Sequence, residues 1–384
     1  MWGRRPVAVL GAVVALLAGC ARPGRLDGDQ PPPVRAAWVP LSLPAPPGPP
    51  GRLLLRDVAA CADRWYVVGG VSGADGGTRP AAWVGDGAVW SSLPTVPVTF
   101  SGEQHVFSSV ACRDDRVAVV GAKSGGVHGN PRTGTWWQGR DGALREVSAP
   151  FEQFGGPRAV SVGRMAAGPA GWLVVGSRVD GAVVWVSPDS AAFTLVEGAP
   201  GLSGDGRGRT AAYDAVGVPA GWLAVGTLLA AGGVPLAWTS PDGRSWRRAE
   251  LPGGPGAAQR VAVAADGPVA VGPAGGVFAA WRSGPDGWRR AGGFGVAGPG
   301  VPSVVGLTAA GARLVAVTAN GADHGLWLSV DSGHSWQAMA MPAAVAHRGD
   351  TAVAVASDGD RLLLVADDAE ASRAWSVGLA GIDR

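Results

Sequence analysis

Short apolar runs that end in a small residue recur along the whole chain. Each run follows an alternating apolar stretch and precedes a β-rich element that carries a tryptophan, such as Trp83, Trp185 or Trp327. Gly, Pro, Asp and Ser separate the elements, and no helical period intervenes, so each unit predicts four short strands. The runs lie 46 to 55 residues apart and end at Gly69, Gly121, Gly176, Gly226, Gly272, Thr318 and Ala366.

Seven such units predict an all-β fold, a seven-bladed β-propeller built from four-stranded antiparallel blades. The alternative is a pair of β-sandwiches, which also contain many short strands. A sandwich has no reason to keep one register through seven successive units, so the propeller is favoured.

The N-terminal segment is predicted to close the ring. The seventh unit contains three strands before the chain ends, and the stretch WVPLSLP at 38–44 is similar to the outer strands WRRAELP and WQAMAMP. A strand within 36–44 would complete blade seven and remove an open sheet edge. The alternative leaves this segment in the N-terminal tether.

The stretch SVDSGHSW at 329–336 gathers an acid, three serines and a histidine around a glycine. It can be interpreted as a ligand site or as a tight turn, in which Asp and Ser bond nearby amides and Gly accepts positive φ. Shorter versions recur at the same place in other units, for example SPDGRSW at 240–246, which favours the turn. The pattern resembles the Asp-box of bacterial neuraminidase repeats, with Ser335 in place of Thr.

The first residues predict export. Arg4 and Arg5 precede an apolar run from Val7 to Gly19, and residues 17–20 read LAGC. This resembles a lipobox, which implies a signal peptide over 1–19, an acyl-modified Cys20 (diacylglyceryl and palmitate-type chains), and anchoring to the extracytoplasmic face of the cell membrane. The alternative is an ordinary secretory signal. Residues 20–35 are polar and proline-bearing and predict a flexible tether, with the propeller over 36–384.

Charge and composition limit the partners. The formal net charge is +2, and it falls to zero when residues 1–19 are removed, because they carry two arginines and no acid. A nucleic-acid partner is therefore not expected. The five histidines are scattered, so no metal or other cofactor is predicted, and His105 with Glu103 is interpreted as a solvated loop pair, as is His324 with Asp323. A monomer is expected.

Two cysteines remain once Cys20 is set aside. Cys61 and Cys112 occupy matching places near the ends of the first strands of units one and two. An exported chain and an even count predict a disulfide between them. The alternative is two buried thiols.

The Asp-box resemblance brings sialidases, which are glycoside hydrolases, into consideration. Such an enzyme implies an arginine triad, a tyrosine nucleophile with a glutamate, and an aspartate. This chain has only Tyr66, predicted to be core, and Tyr213. No catalytic residue is assigned, and a divergent sialidase-like hydrolase stays the alternative.

The seven-unit pattern also resembles photosystem-assembly propellers, which implies a non-enzymatic binding or assembly scaffold for a protein or glycan partner. Arginines just before four innermost strands are candidate ligands for an acidic group, or else ordinary surface residues. They are Arg158, Arg209, Arg260 and Arg348.

Overall fold

Seven antiparallel sheets follow one another along the chain in the computed structural model, which describes residues 31–125, 131–298 and 301–382. Five sheets are consecutive meanders of four strands, blade 2 adds a short fifth strand that pairs parallel with its outer strand, and the seventh sheet combines the two ends of the chain. The predicted seven-bladed propeller is confirmed. In this part of the chain, no helix is long and apolar enough to cross a membrane.

The strands divide among the blades as follows. Blade 1 contains β2 Arg52–Cys61, β3 Arg64–Ser72, β4 Thr78–Gly85 and β5 Trp90–Ser92. Blade 2 contains β6 Thr95–Val96, β7 Val106–Arg113, β8 Arg116–Lys123, β9 Arg132–Gln138 and β10 Leu144–Glu146. Blade 3 contains β11 Ala159–Gly168, β12 Gly171–Arg178, β13 Gly181–Ser187 and β14 Thr194–Val196. Blade 4 contains β15 Arg209–Val218, β16 Gly221–Leu229, β17 Val234–Ser240 and β18 Arg247–Glu250.

The remaining blades follow the same order. Blade 5 contains β19 Arg260–Ala264, β20 Gly267–Ala274, β21 Val277–Gly284 and β22 Gly287–Phe294. Blade 6 contains β23 Ser303–Ala310, β24 Arg313–Ala319, β25 His324–Ser329 and β26 Gln337–Met339. Blade 7 contains β27 Ala352–Ser357, β28 Arg361–Asp367, β29 Ser372–Gly378 and the N-terminal β1 Val39–Leu41. Among the described residues, the short helices are α1 Phe151–Phe154 and two 3-10 turns, Gly102–Gln104 and Leu379–Gly381.

Ring closure by the N-terminal strand is confirmed. Strand β1 pairs antiparallel with β29, with Pro40 opposite Trp375. Trp38 donates its indole N–H to the carbonyl of Ala340 at 3.2 Å, which ties the segment to blade 6 as well. Ordered pairing begins slightly before the predicted boundary at 36, because Val34 exchanges two backbone hydrogen bonds with residues 338 and 340.

Apolar packing lies between the blades. The central runs of the second strands are fully buried, and tryptophans such as Trp83, Trp185, Trp238 and Trp281 fill the space between neighbouring sheets. A sheet with two buried faces needs apolar residues at successive positions, which explains the unbroken VVG-type runs.

The aspartate hairpins turn corners, as predicted. Asp331 accepts the Ser335 amide at 2.9 Å, Ser329 accepts the Gly333 amide, and Gly333 has φ +88°. Asp242 accepts the amides of residues 244 and 245 in the corresponding turn. Trp336 stacks on Phe294 with ring centroids 4.3 Å apart, so the aromatic that follows the turn packs between blades 5 and 6.

Antiparallel order gives the propeller two distinct faces. One face, here called the linker face, carries the connections between blades and the loops between second and third strands. The other, the hairpin face, carries the loops after the first and third strands, including the aspartate turns. The innermost strands β2, β7, β11, β15, β19, β23 and β27 contact one another in a ring and surround a central channel.

Candidate functional site

A charge network crosses the central channel. Arg164, on β11 of blade 3, donates to both carboxylate oxygens of Asp57 in blade 1 at 2.9 Å. Its Nε lies 3.8 Å from a carboxylate oxygen of Asp214 in blade 4. Irregularities in β2, β11 and β15 interrupt the regular register beside these residues. Such bulges re-aim side chains, here toward the channel.

Burial and charge act against each other in this network. Burial raises the pKa of Asp214, and the charges of Arg260 and Arg164 partly offset that rise. Burial lowers the pKa of Arg260 to about 10, helped by the neighbouring Arg164 and opposed by Asp214 and Asp57. For Arg164, burial lowers the pKa, but the charges of Asp57 and Asp214 outweigh it and raise the value overall.

Side chains of the innermost strands also bond the backbone of the next blade. Asp57 accepts the amide of Val110 at 2.9 Å, and Asp214 accepts the amide of Val261 at 3.1 Å. Ser109 accepts the amide of Met165 at 3.0 Å in the same way. Asp57 and Asp214 therefore serve as joints between blades, and their oxygens are occupied by arginine and amide donors.

The channel contains acids, and one of the two tyrosines is a sequence neighbour of one of them. Tyr213 directly precedes Asp214 and is half-buried, whereas Tyr66 is 2% exposed in the core, as predicted. A retaining or inverting glycosidase needs two carboxylates free to face the bond that breaks. Neither Asp57 nor Asp214 is free in this sense.

The cavity between the network and the hairpin face measures about 400 Å³ and is lined mainly by small and aliphatic residues of blades 3–6. Within the described residues, no three His, Cys, Asp or Glu side chains are grouped to hold a metal ion.

The four candidate arginines lie at different depths. Arg158 is on the linker face, where it pairs with Asp180 and with Glu197, the latter at 2.8 Å. Arg209 begins β15 and is exposed, and Arg348 is exposed in the connection before β27. Arg260 lies deeper, inside the channel, and donates to the Val305 carbonyl at 3.1 Å. The four arginines therefore do not form one ring, and a ligand role for them stays a prediction.

The two cysteines of blades 1 and 2 are bonded to each other. Cys61 and Cys112 form a disulfide across the first two innermost strands, with Cα atoms 5.6 Å apart. Cys61 is buried beside Tyr66, and Cys112 packs against the same cluster. Cys20 lies outside the described residues, as does the signal segment.

A second cavity lies in blade 2, on the linker face and away from the channel. It measures about 220 Å³ and is lined by residues of the connections on both sides of the blade together with the start of β9. Glu146, at the end of β10, is 8% exposed and lines it. Its carboxylate accepts the amides of Val98 and Thr99 at 2.7 and 2.8 Å and the Thr99 hydroxyl at 2.7 Å. Glu146 thus fixes the incoming connection around the cavity.

His105 forms part of the same cavity and is 1% exposed. Its Nδ1 accepts the indole N–H of Trp136 at 3.1 Å, so the proton of the neutral ring is on Nε2. Burial lowers the pKa of His105, while Glu146 and the Arg132 carbonyl raise it. Nε2 has no hydrogen-bond partner among the described residues.

Sequence reasoning was wrong about two histidines. His105 is not a solvated partner of Glu103, since it lies beneath the connection and contacts Trp136 instead. His324 is 8% exposed, and its ring lies 3.2 Å from the Val345 carbonyl. The chain order gave no signal that residues 105 and 146, at opposite edges of one sheet, would share a cavity.

Exposed apolar side chains surround the blade 2 cavity. Phe100 is 75% exposed in the connection before β7, and Phe151 is 43% exposed in the connection after β10. Cations lie over both rings: Lys123 lies 5.2 Å from the Phe100 centroid, and the Arg132 guanidinium lies 4.1 Å from that of Phe151. Val98 and Val160 add exposed apolar surface beside these connections.

Comparisons with known proteins support the fold alone. No family model matches the sequence, and no curated protein matches it. Among solved structures, the periplasmic gluconolactonase of Pseudomonas aeruginosa is 14% identical, with a TM-score of 0.51 over 83% of this chain and 97% of that one. The propeller domain of Cps50 (Swd1) from Myceliophteria thermophila is 14% identical, with a TM-score of 0.54 over 85% of this chain and 100% of that one.

A sialidase is also among the similar structures. The Hadza microbial sialidase Hz136 is 12% identical, with a TM-score of 0.47 over 86% of this chain, and this chain spans 66% of its length. The two likenesses with TM-scores above 0.5 indicate a β-propeller and, at 14% identity, do not choose between enzymes and scaffolds.

Proposed function

We propose that this protein is a non-enzymatic binding or assembly scaffold for a protein or glycan partner, held at the extracytoplasmic face of the membrane by a lipid on Cys20. The observation that carries the proposal is the surface around the blade 2 cavity. There, exposed aromatic residues flank a polar cavity on the linker face, and Arg132 has no ion-pair partner among the described residues. Exposed aromatic residues and arginine are enriched at binding surfaces.

The channel supports binding over hydrolysis. Asp57 accepts bonds from Arg164 and from the Val110 amide, and Asp214 accepts the Val261 amide and lies 3.8 Å from the Arg164 Nε. Using either carboxylate as an acid or nucleophile would therefore break a contact between blades. No turnover of a fluorogenic sialoside is therefore expected. Steady release of the fluorophore by the purified protein, above a blank, would overturn the non-enzymatic assignment.

The experiment for the proposed surface is a pull-down from envelope extracts with immobilised residues 33–384, which form one compact unit and include every described strand. The paired substitution Phe100→Ser and Phe151→Ser should abolish recovery of the partner. Val330→Ser is the matched control, because Val330 is a 53% exposed apolar residue in a turn on the hairpin face. Equal recovery by the Phe double variant would show that binding occurs elsewhere.

A further inference from the structure

We propose that a cavity at the hairpin end of blade 4 binds a monocarboxylate with a compact apolar body, and that Arg247 recognises the carboxylate. The cavity measures about 500 Å³, within the range of roughly 300–1,000 Å³ that is usual for small-molecule sites. It lies on the hairpin face, apart from the channel network and from the blade 2 surface. The inference therefore goes beyond the proposed scaffold function and does not depend on it.

The strand register brings the polar groups of this cavity together. Thr239, near the end of β17, lies opposite Arg247, the first residue of β18. Directly opposite residues of an antiparallel pair share one face of the sheet, with Cβ atoms about 5 Å apart. On its other side Thr239 lies opposite Leu223, which packs in the cluster shared with blade 5. The Thr239 hydroxyl and the Arg247 guanidinium thus lie on the side of blade 4 that faces blade 5.

Both polar groups are accessible and uncommitted. Arg247 and Thr239 are exposed, and neither side chain has an ion pair or hydrogen bond to another described residue. The neighbouring Arg248, by contrast, donates to Asp205 at 2.9 Å. A guanidinium has five N–H donors in a rigid fork that matches the two oxygens of a carboxylate. Arg247 can therefore take a carboxylate from solvent without giving up a contact.

The rest of the wall selects the body of the ligand. Val218, Ala220 and Pro241 provide apolar surface, and no acid is among the described residues that line the cavity. Asp242, in the adjacent turn, is engaged by the amides of residues 244 and 245. An inorganic anion would leave the apolar surface uncovered, and an ammonium ligand would be repelled by Arg247. A carboxylate that carries an apolar group satisfies both parts of the wall.

The test is calorimetry and saturation-transfer NMR on the full-length protein with benzoate, phenylacetate and cyclohexanecarboxylate. Benzamide lacks the charge, acetate lacks the apolar body, and benzylamine carries the opposite charge. At least one of the three apolar acids should bind more strongly than every comparator. If none does, the proposal is overturned.

One substitution removes the recognising group. Arg247→Gln should weaken binding of the apolar acid at least about tenfold, because a hydrogen bond to a charged group contributes at least that much. Arg244→Gln is the matched control, since Arg244 is an exposed arginine of the adjacent turn that does not line the cavity. The control should change the affinity by no more than about twofold, because solvent screens charges that do not touch the ligand.

The melting curve of Arg247→Gln should match that of the unmodified protein, because an exposed side chain without partners contributes little to stability. Acid binding that persists in Arg247→Gln, or that falls equally in Arg244→Gln, would overturn the inference. The variant with Phe100→Ser and Phe151→Ser should bind the acids normally. Loss of acid binding in that variant would place the acids on the blade 2 surface and would also overturn the inference, whereas failed acid binding with intact partner capture leaves the scaffold function standing.

Discussion

The disulfide between blades 1 and 2 should contribute a measurable share of the stability of residues 33–384. The bond closes a loop of 51 residues in sequence separation. In the chain-entropy description, a link of that length destabilises the unfolded state by about 4 kcal/mol. An unfolding entropy of about 2.1 cal/mol/K per residue gives roughly 0.7 kcal/mol/K for about 350 residues, so losing the link should lower Tm by about 6 °C.

The assay compares protein refolded with and without reductant, because reduction keeps both sulfurs and removes only the bond. Tm is read by circular dichroism, and thiols are counted by alkylation and mass spectrometry. The double variant Cys61→Ala with Cys112→Ala should melt near the reduced protein and should not respond to reductant. Two alkylatable thiols in natively exported protein, or equal Tm values for oxidised and reduced samples, would refute the reasoning.

Three further predictions concern the anchor, the closure and the channel. Cys20→Ser should release the protein from the membrane fraction or leave an uncleaved precursor; unchanged processing and retention would disprove the lipid anchor. A chain that starts at residue 33 should be as stable as the full chain. A chain that starts at residue 45 lacks β1, and its free energy of unfolding should be lower by about 3 kcal/mol, because half-buried apolar side chains are lost and a sheet edge opens. Equal urea midpoints for the two truncations would contradict that. Asp57→Ala should lower the free energy of unfolding by about 3–5 kcal/mol, because it removes the main partner of Arg164 and a hydrogen bond between blades. A urea midpoint shift that corresponds to less than about 1 kcal/mol would show that the Asp57–Arg164 pair does not stabilise the fold.

The sequence by itself determined the blade count, the corner turns, the closing strand and the disulfide. Each of these depends on local information that repeats. The apolar pattern that ends at Gly69 or Gly226 predicts a strand in every repeat unit. The spacing of Asp331 from Ser329 and Gly333 forms a tight turn through local hydrogen bonds, independently of the surrounding residues. Repetition then fixes which strands are neighbours, which is why matching positions such as Cys61 and Cys112 could be paired in advance.

Only the tertiary structure decided which polar side chains meet. Asp57 and Arg164 are 107 residues apart and in non-adjacent blades, and they meet because the ring brings innermost strands together across the channel. Arg260 is the first residue of β19 and is paired with Val271, whereas Arg158 precedes β11, so the two arginines lie at different depths. His105 and Glu146 share a cavity because the connection that carries Thr99 folds over the edge of blade 2. Such contacts depend on strand register, bulges and the paths of connections, and local propensity encodes none of these.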